Sequence, residues 1–182
     1  MKGFKNMWFT KELNVIGLNY VKNKKTSNKW EGTPLEDYEK LGAKAKGKYG
    51  EGVVKSIFES YGFKVEPHEK ENDSYDLIID GIKTEVKFSG ATDRNYNWQF
   101  TFNHIAMEKD WERLILMGVN GDLQYKLVWF TKDEVAEIME CKSFLNHQQG
   151  GKYSKNDDFM CTSNKATKLM NHFYAKIINQ WR

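Results

Sequence analysis

One stretch constrains this chain more than any other: Ser74-Tyr75-Asp76-Leu77-Ile78-Ile79-Asp80-Gly81-Ile82-Lys83-Thr84-Glu85-Val86-Lys87. Asp80-Gly81 tolerates positive φ at both central positions of a two-residue turn, and β-forming residues flank it on each side, so the stretch reads as a hairpin. Pairing Ile79 with Ile82 sets the register outward. Ile78 then faces Lys83, Leu77 faces Thr84, and Asp76 is expected directly opposite Glu85. Lys87, two residues beyond Glu85, falls on the same face as the two acids. The other face, with Leu77, Ile79, Ile82 and Val86, is apolar and belongs to a core. Like charges directly opposite each other in a ladder are unfavourable, and a divalent cation reverses the sign of that cost.

At 182 residues the chain has the length of one domain with a real core. Its 40% apolar and 14% aromatic content supports a folded globule, and the 29% charged content a highly polar surface. The formal charge is +3, but it is uneven: residues 1–50 carry 11 lysines against 5 acids, a local +6, leaving −3 for the rest. A basic amino-terminal quarter suits phosphate contact, and a lysine-rich solvated surface is the bland equivalent. Three of the 28 basic residues are arginines (Arg94, Arg113, Arg182), so charge contacts fall mostly to lysines. Cys141 and Cys161 are too few for a zinc cluster or a disulfide framework, which points to a reducing, cytosolic setting. No apolar run approaches the roughly 18 residues of a membrane span, and no signal-peptide core follows Met1. The expectation is a cytoplasmic protein with no membrane partner.

Along the chain, a helix is expected from Leu35 to about Lys46, and a clearer one from Tyr49 to Tyr61, where Val54, Ile57, Phe58 and Tyr61 recur at three and four and Gly62 caps the end. Phe63–Glu66 reads as a short strand. Trp98–Asn103 alternates apolar and polar, with Gln99, Thr101 and Asn103 on one face. Leu114–Val119 and Leu123–Phe130 read as strands joined through an Asn120-Gly121 hairpin turn, the first of them central because it is apolar throughout. Thr131 and Glu134 form a capping box that opens a helix to about Cys141. Residues 146–164 read as a long irregular region. A final helix is expected from Lys165 to Trp181, with Leu169, Phe173, Ile177 and Trp181 at four-residue spacing.

Glu51 lies on the stripe of the clearer helix, three before Val54 and seven before Phe58, so it projects toward the inner edge of the apolar face. Taken alone it is a first-turn glutamate complementing the helix dipole. Lys44, Lys46 and Lys48, ahead of it, are candidates for phosphate contact, as are Gln99, Asn103 and Arg94, with a solvated charge cluster and ordinary sheet polarity as the plain alternatives. His104 and His147 have no second histidine at metal-ligand spacing and read as ordinary histidines. Asp80 is explained by its turn. Hard carboxylate oxygens such as those of Asp76 and Glu85 suit Mg²⁺, which keeps waters and binds substrate phosphate.

A helix bearing Glu51, then a hairpin bearing Asp76 and Glu85-Val86-Lys87, then further strands: in this order the chain resembles the PD-(D/E)XK nuclease superfamily, and within it small bacterial and phage type II restriction-type endonucleases. The resemblance covers residues 48–130, with Tyr75 standing where the family name has proline. It implies a mixed α+β, restriction-endonuclease-like core, a central mixed β-sheet flanked by helices. The domain division that follows is a basic segment 1–46, packed on the core or contacting DNA, and a nuclease core over 47–182. Asp76, Glu85, Lys87 and Glu51 are the implied catalytic residues. Asp76, Glu85 and the Val86 carbonyl would hold Mg²⁺, with Mn²⁺ able to substitute, and Glu51 would serve a second ion or a metal-held water. No small-molecule cofactor is expected. The implied activity is Mg²⁺-dependent, restriction-type cleavage of double-stranded DNA by a homodimer in a bacterial or phage-infected cell. The alternatives are a junction resolvase, a homing-type endonuclease, and a non-catalytic nucleic-acid-binding protein, the last opposed by the intact Glu85, Val86 and Lys87.

Overall fold

The computed structural model describes residues 30–33, 35–68, 74–91, 99–121, 123–141, 143–148 and 158–182. Their elements run α1 (Glu36–Glu39), α2 (Ala43–Ser60), β1 (Val65–Pro67), β2 (Leu77–Ile79), β3 (Ile82–Gly90), β4 (Phe100–Ala106), β5 (Arg113–Val119), β6 (Tyr125–Thr131), α3 (Lys132–Glu140), β7 (Asn146–His147), β8 (Asp158–Thr162) and α4 (Ser163–Met170), then a 3₁₀ turn over Ile178–Gln180. The main sheet has the order β1-β2-β3-β5-β6. Within it β3 and β5 are parallel and the other pairs antiparallel, so the sheet is mixed. A parallel neighbour requires a crossover. Here the chain leaves through β4, which joins β8 and β7 in a second, three-stranded sheet. Helix α2 packs on β3, α3 on β6, and α4 against β4 and β8, giving a mixed α+β fold with a central mixed sheet flanked by helices.

The hairpin forms as its turn chemistry demands. Asp80 (φ 48°) and Gly81 (φ 82°) supply the two left-handed residues, and Ile79↔Ile82, Ile78↔Lys83 and Leu77↔Thr84 pair in the expected register. The Asp80 carboxylate also accepts from the Lys64 amide at 2.9 Å, tying the turn to the chain ahead of β1. The register ends one pair short of the acids. Asp76 donates its N–H to the Thr84 carbonyl at 3.0 Å, so it lies just past the end of β2 and not in a ladder pair with Glu85. β3 is the middle strand, hence Thr84, Glu85 and Val86 are all buried.

One helix, α2, spans Ala43–Ser60, longer than the Tyr49–Tyr61 expected from the apolar repeat. The helix expected over Leu35–Lys46 is split: α1 ends at Glu39, and Gly42, extended at φ −70° and ψ 164°, starts α2 afresh. The break turns the chain so that Leu35, Tyr38 and Leu41 all bury in the same core as Val54 and Phe58. Gly62 (φ 81°) closes α2, with amide bonds from Gly62 to Glu59 and from Phe63 to Phe58, the paired pattern of a Schellman end. Gly50 lets α2 approach β3 closely: a Cβ there would stand 2.3 Å from the Phe88 Cβ.

Several expectations beyond the hairpin are corrected. β5 and β6 pair out to Val119↔Tyr125, so the connection is not a two-residue Asn120-Gly121 turn. Asn120 and Gln124 close the longer loop with backbone and side-chain bonds, and Leu123 (φ 58°) takes the left-handed position. β4 runs on to Ala106, and an irregularity between Phe102 and Ile105, with His104 at φ 56°, interrupts the alternation that its sequence shows. Region 146–164 is not wholly irregular, since it contributes the antiparallel β7 and β8; residues 149–157 lie outside those described. The final helix stops at Met170, leaving Phe173 79% and Ile177 52% exposed. Lys176 instead exchanges both backbone bonds with Trp129, covering the outer edge of β6. Satisfying that sheet edge wins over continuing a short surface helix. The capping box at Thr131 forms as expected, with Thr131 Oγ1 accepting from the Glu134 amide and Glu134 reaching back. No helix among the described residues is long and apolar enough to cross a membrane.

Candidate active site

The end of β2 and the middle of β3 carry two neighbouring acids, Asp76 and Glu85, and Glu51, from the middle of α2, lies within electrostatic reach of Asp76. Glu85, on the central strand, is fully buried. Its Oε1 accepts from Lys87 Nζ at 2.6 Å and from Lys109 Nζ at 3.1 Å, while its Oε2 is buried with no hydrogen-bond partner among the described residues. Asp76, half-buried, turns its Oδ2 onto the Val86 amide at 2.7 Å. Burial first, and then the Glu85 charge, push the Asp76 carboxyl up to about 6, against the pull of the Val86 amide and Lys87; the Glu51 charge adds to the rise. Thus Asp76, Glu85, Val86, Lys87 and Glu51 are brought together, although Asp76 and Glu85 are not ladder partners.

A strand residue's N–H and C=O point to the same edge, so the Val86 carbonyl opens toward the Asp76 side along with its amide. Glu51 arrives because Gly50 allows α2 to lie close against Phe88, and its Oε2 accepts from Lys48 Nζ at 3.0 Å. Lys48 is therefore engaged inside the site's own charge pattern. Three acids, Asp76, Glu85 and Glu51, stand against three lysines, Lys48, Lys87 and Lys109, the last two on a single oxygen.

Lys109 is the residue that sequence reasoning missed. It sits in the β4–β5 connection, 24 residues from Glu85 in sequence. Nothing in its neighbourhood, Glu108-Lys109-Asp110, separates it from the chain's 24 other lysines, the 28 basic residues less three arginines and Lys109 itself. Burial pulls the Lys109 ammonium down, but the charge and hydrogen bond of Glu85, with Asp76 and Glu108 behind them, outweigh it and raise the group above its ordinary value.

The other candidates lie as follows. Lys46 bonds Glu39 at 3.1 Å and stands 5.0 Å over the Tyr38 ring, and Lys44 is exposed on the first turn of α2. Gln99 donates to Asn164 at 3.4 Å. Asn103 is exposed beside His104, whose ring pairs with Asp158 at 2.9 Å. Arg94 lies outside the described residues. His147 stacks on Phe159.

No three His, Cys, Asp or Glu side chains among the described residues form a ready metal cage. Two hard carboxylates, one with a buried oxygen that lacks a partner among the described residues, match instead the demand of a small cation that keeps several of its own waters. The oxygen donors present, the Asp76 and Glu85 carboxylates and the Val86 carbonyl, are therefore of the kind that Mg²⁺ takes.

No family model matches the chain, and no curated protein matches it. Among solved structures, the bacterial homing endonuclease I-Ssp6803I is similar over 51% of this chain and 67% of that one, at 19% identity and a TM-score of 0.40.

Proposed function

We propose that the protein is a Mg²⁺-dependent endodeoxyribonuclease of the restriction-endonuclease-like type, cutting double-stranded DNA as a homodimer with one site per strand. The observation that carries the reading is Glu85: a fully buried carboxylate whose second oxygen has no partner among the described residues, next to Asp76 and bonded to Lys87. An unpaired buried carboxylate oxygen is costly, and a fold that keeps one beside a second acid has a use for it.

When bound, Mg²⁺, or Mn²⁺ in its place, would lower the pKa of a water and neutralise charge on the phosphate. Asp76 and Glu85 would supply the oxygens for it, and the Val86 amide holds the Asp76 carboxylate against the central strand. Lys87, on the Glu85 oxygen at 2.6 Å, orients the attacking water and stabilises the extra negative charge of the pentavalent phosphorus. Glu51 contributes through a water or toward a second ion. The basic start of α2, with Lys44, Lys46 and Lys48, together with Asn103, Gln99 and Arg94, is assigned to the DNA path.

The test is incubation of plasmid, linear duplex and branched DNA with the protein in Mg²⁺ or EDTA, beside Glu85→Ala. Cutting of duplex that requires both Mg²⁺ and Glu85 supports the reading. Binding without any metal-dependent cutting sinks it, and cutting confined to the branched substrate replaces restriction-type cleavage with junction resolution.

A further inference from the structure

Lys109 is held in an unusual way: its backbone is clamped while its side chain keeps access to solvent. Trp111 Nε1 donates to the Ala106 carbonyl at 2.8 Å, closing the β4–β5 connection from inside the core. Lys132 Nζ donates to the Lys109 carbonyl and lies 5.0 Å over the Trp111 ring. The Lys109 side chain is 36% exposed against 15% for Lys87, yet both reach the same oxygen, Glu85 Oε1.

One carboxylate oxygen with two ammonium donors is more positive charge than Glu85 alone balances. Glu85 Oε2 has no partner among the described residues and is open to a divalent cation, and a cation there repels the Lys109 ammonium on the neighbouring Oε1, strongly in a site this buried. Lys87 has the shorter bond and the more buried stem. Lys109 is the group free to leave. A lysine ammonium released beside a carboxylate site, on a rigid turn and open to solvent, is a compact point charge suited to a phosphate oxygen.

We propose that Lys109 exchanges partners: it rests on Glu85 in the contact described, and moves to a backbone phosphate of bound DNA when the carboxylates take a divalent cation. This rests on the nuclease reading of the same carboxylates. It makes Lys109 a phosphate-contacting residue whose contact depends on the metal site being filled.

The experiment is fluorescence anisotropy of a short labelled DNA duplex with wild type, Lys109→Met and Lys109→Arg over a series of KCl concentrations, in EDTA and in Ca²⁺. Each phosphate neutralised by a cation contributes about 0.9 to the slope of log affinity against log salt. In Ca²⁺ the Lys109→Met slope is expected to be shallower by about that amount, with Lys109→Arg restoring it; in EDTA all three share one slope. Equal slopes for wild type and Lys109→Met in Ca²⁺ overturn the proposal, and so does an equal drop in EDTA, which would mean a contact without exchange. If Lys109→Met does not fold, Lys109→Gln carries the same comparison. A wild type that binds the duplex but never cuts it in Mg²⁺ overturns the nuclease reading alone, and the slopes still decide the role of Lys109.

Discussion

The Val86 amide donates a 2.7 Å hydrogen bond to Asp76 Oδ2, so the acid at the end of one strand is pinned by the backbone of the next. That bond replaces the side-by-side ladder pair that the hairpin register suggests. It aims Asp76 at Glu85 across a corner of the sheet, close enough for the Glu85 charge to raise it. The two acids share a site without the fixed geometry of a ladder pair.

The pH dependence of stability follows from this. A carboxyl raised to about 6 binds its proton more tightly in the folded than in the unfolded state, so between its ordinary value and 6 the folded chain holds more protons. Stability then falls as pH rises through that window, the reverse of a salt-bridged aspartate. Asp76→Asn removes the penalty while keeping an acceptor for the Val86 amide. Without divalent ions, the variant is expected to melt above wild type at pH 7.5, by about 3 kcal/mol, and to lose the advantage by pH 4. Melting curves across that range check it; a variant less stable at pH 7.5 would show that Asp76 is not strained.

The proposed metal binding has its own stability readout. A ligand that binds only the folded chain at 100 times its Kd adds about 2.7 kcal/mol, which in a chain of this size is about 5–10 °C of midpoint. Saturating Mg²⁺ or Mn²⁺ is expected to raise the wild-type midpoint by that order and to leave Glu85→Ala unmoved. Differential scanning fluorimetry with and without EDTA decides it, and equal shifts in both proteins would place the ion elsewhere.

How much of this was legible before the structure depends on the range of each interaction. Asp80-Gly81 and the Thr131/Glu134 box are local chemistry, and both formed as the residues dictate. Gly42 and the sheet edge at Trp129 act through tertiary context. A helix expected whole was therefore split, and another stopped at Met170 despite the four-residue repeat of Leu169, Phe173, Ile177 and Trp181. The site divides the same way: Glu51, Asp76, Glu85 and Lys87 stood out by order and spacing, whereas Lys109 reaches Glu85 only because β4 turns back past β3.

Gly50 tests whether Glu51 depends on the close approach of its helix. A Cβ at Gly50 would stand 2.3 Å from the Phe88 Cβ and 2.8 Å from its Cγ, so helix and strand must separate. Gly50→Ala is expected to cost about 1–3 kcal/mol through overpacking, despite the higher helix propensity of alanine. The proposed DNA cleavage is expected to fall further than the folded fraction does, because Glu51 moves with the helix. Gly47→Ala, on the same helix with nothing near its Cβ, serves as control and is expected to stabilise.

Arg113 locks the carboxyl-terminal segment over the sheet. Its guanidinium stands 4.4 Å from the rings of both Trp129 and Trp181 and donates to the Trp181 carbonyl at 2.6 Å. Trp181 in turn is buried against Phe58 of α2, at 4.8 Å between ring centroids, so the segment braces the helix that carries Glu51. Arg113→Ala removes two cation–π contacts and a charged hydrogen bond together, an expected loss of about 2 kcal/mol. Arg113→Lys keeps the charge but not the planar fork that lies between two indoles, so it is expected to recover less than half. Denaturant melts followed by tryptophan fluorescence measure both. If Arg113→Lys restored full stability, the charge alone would be responsible and the stacking of the guanidinium would be incidental.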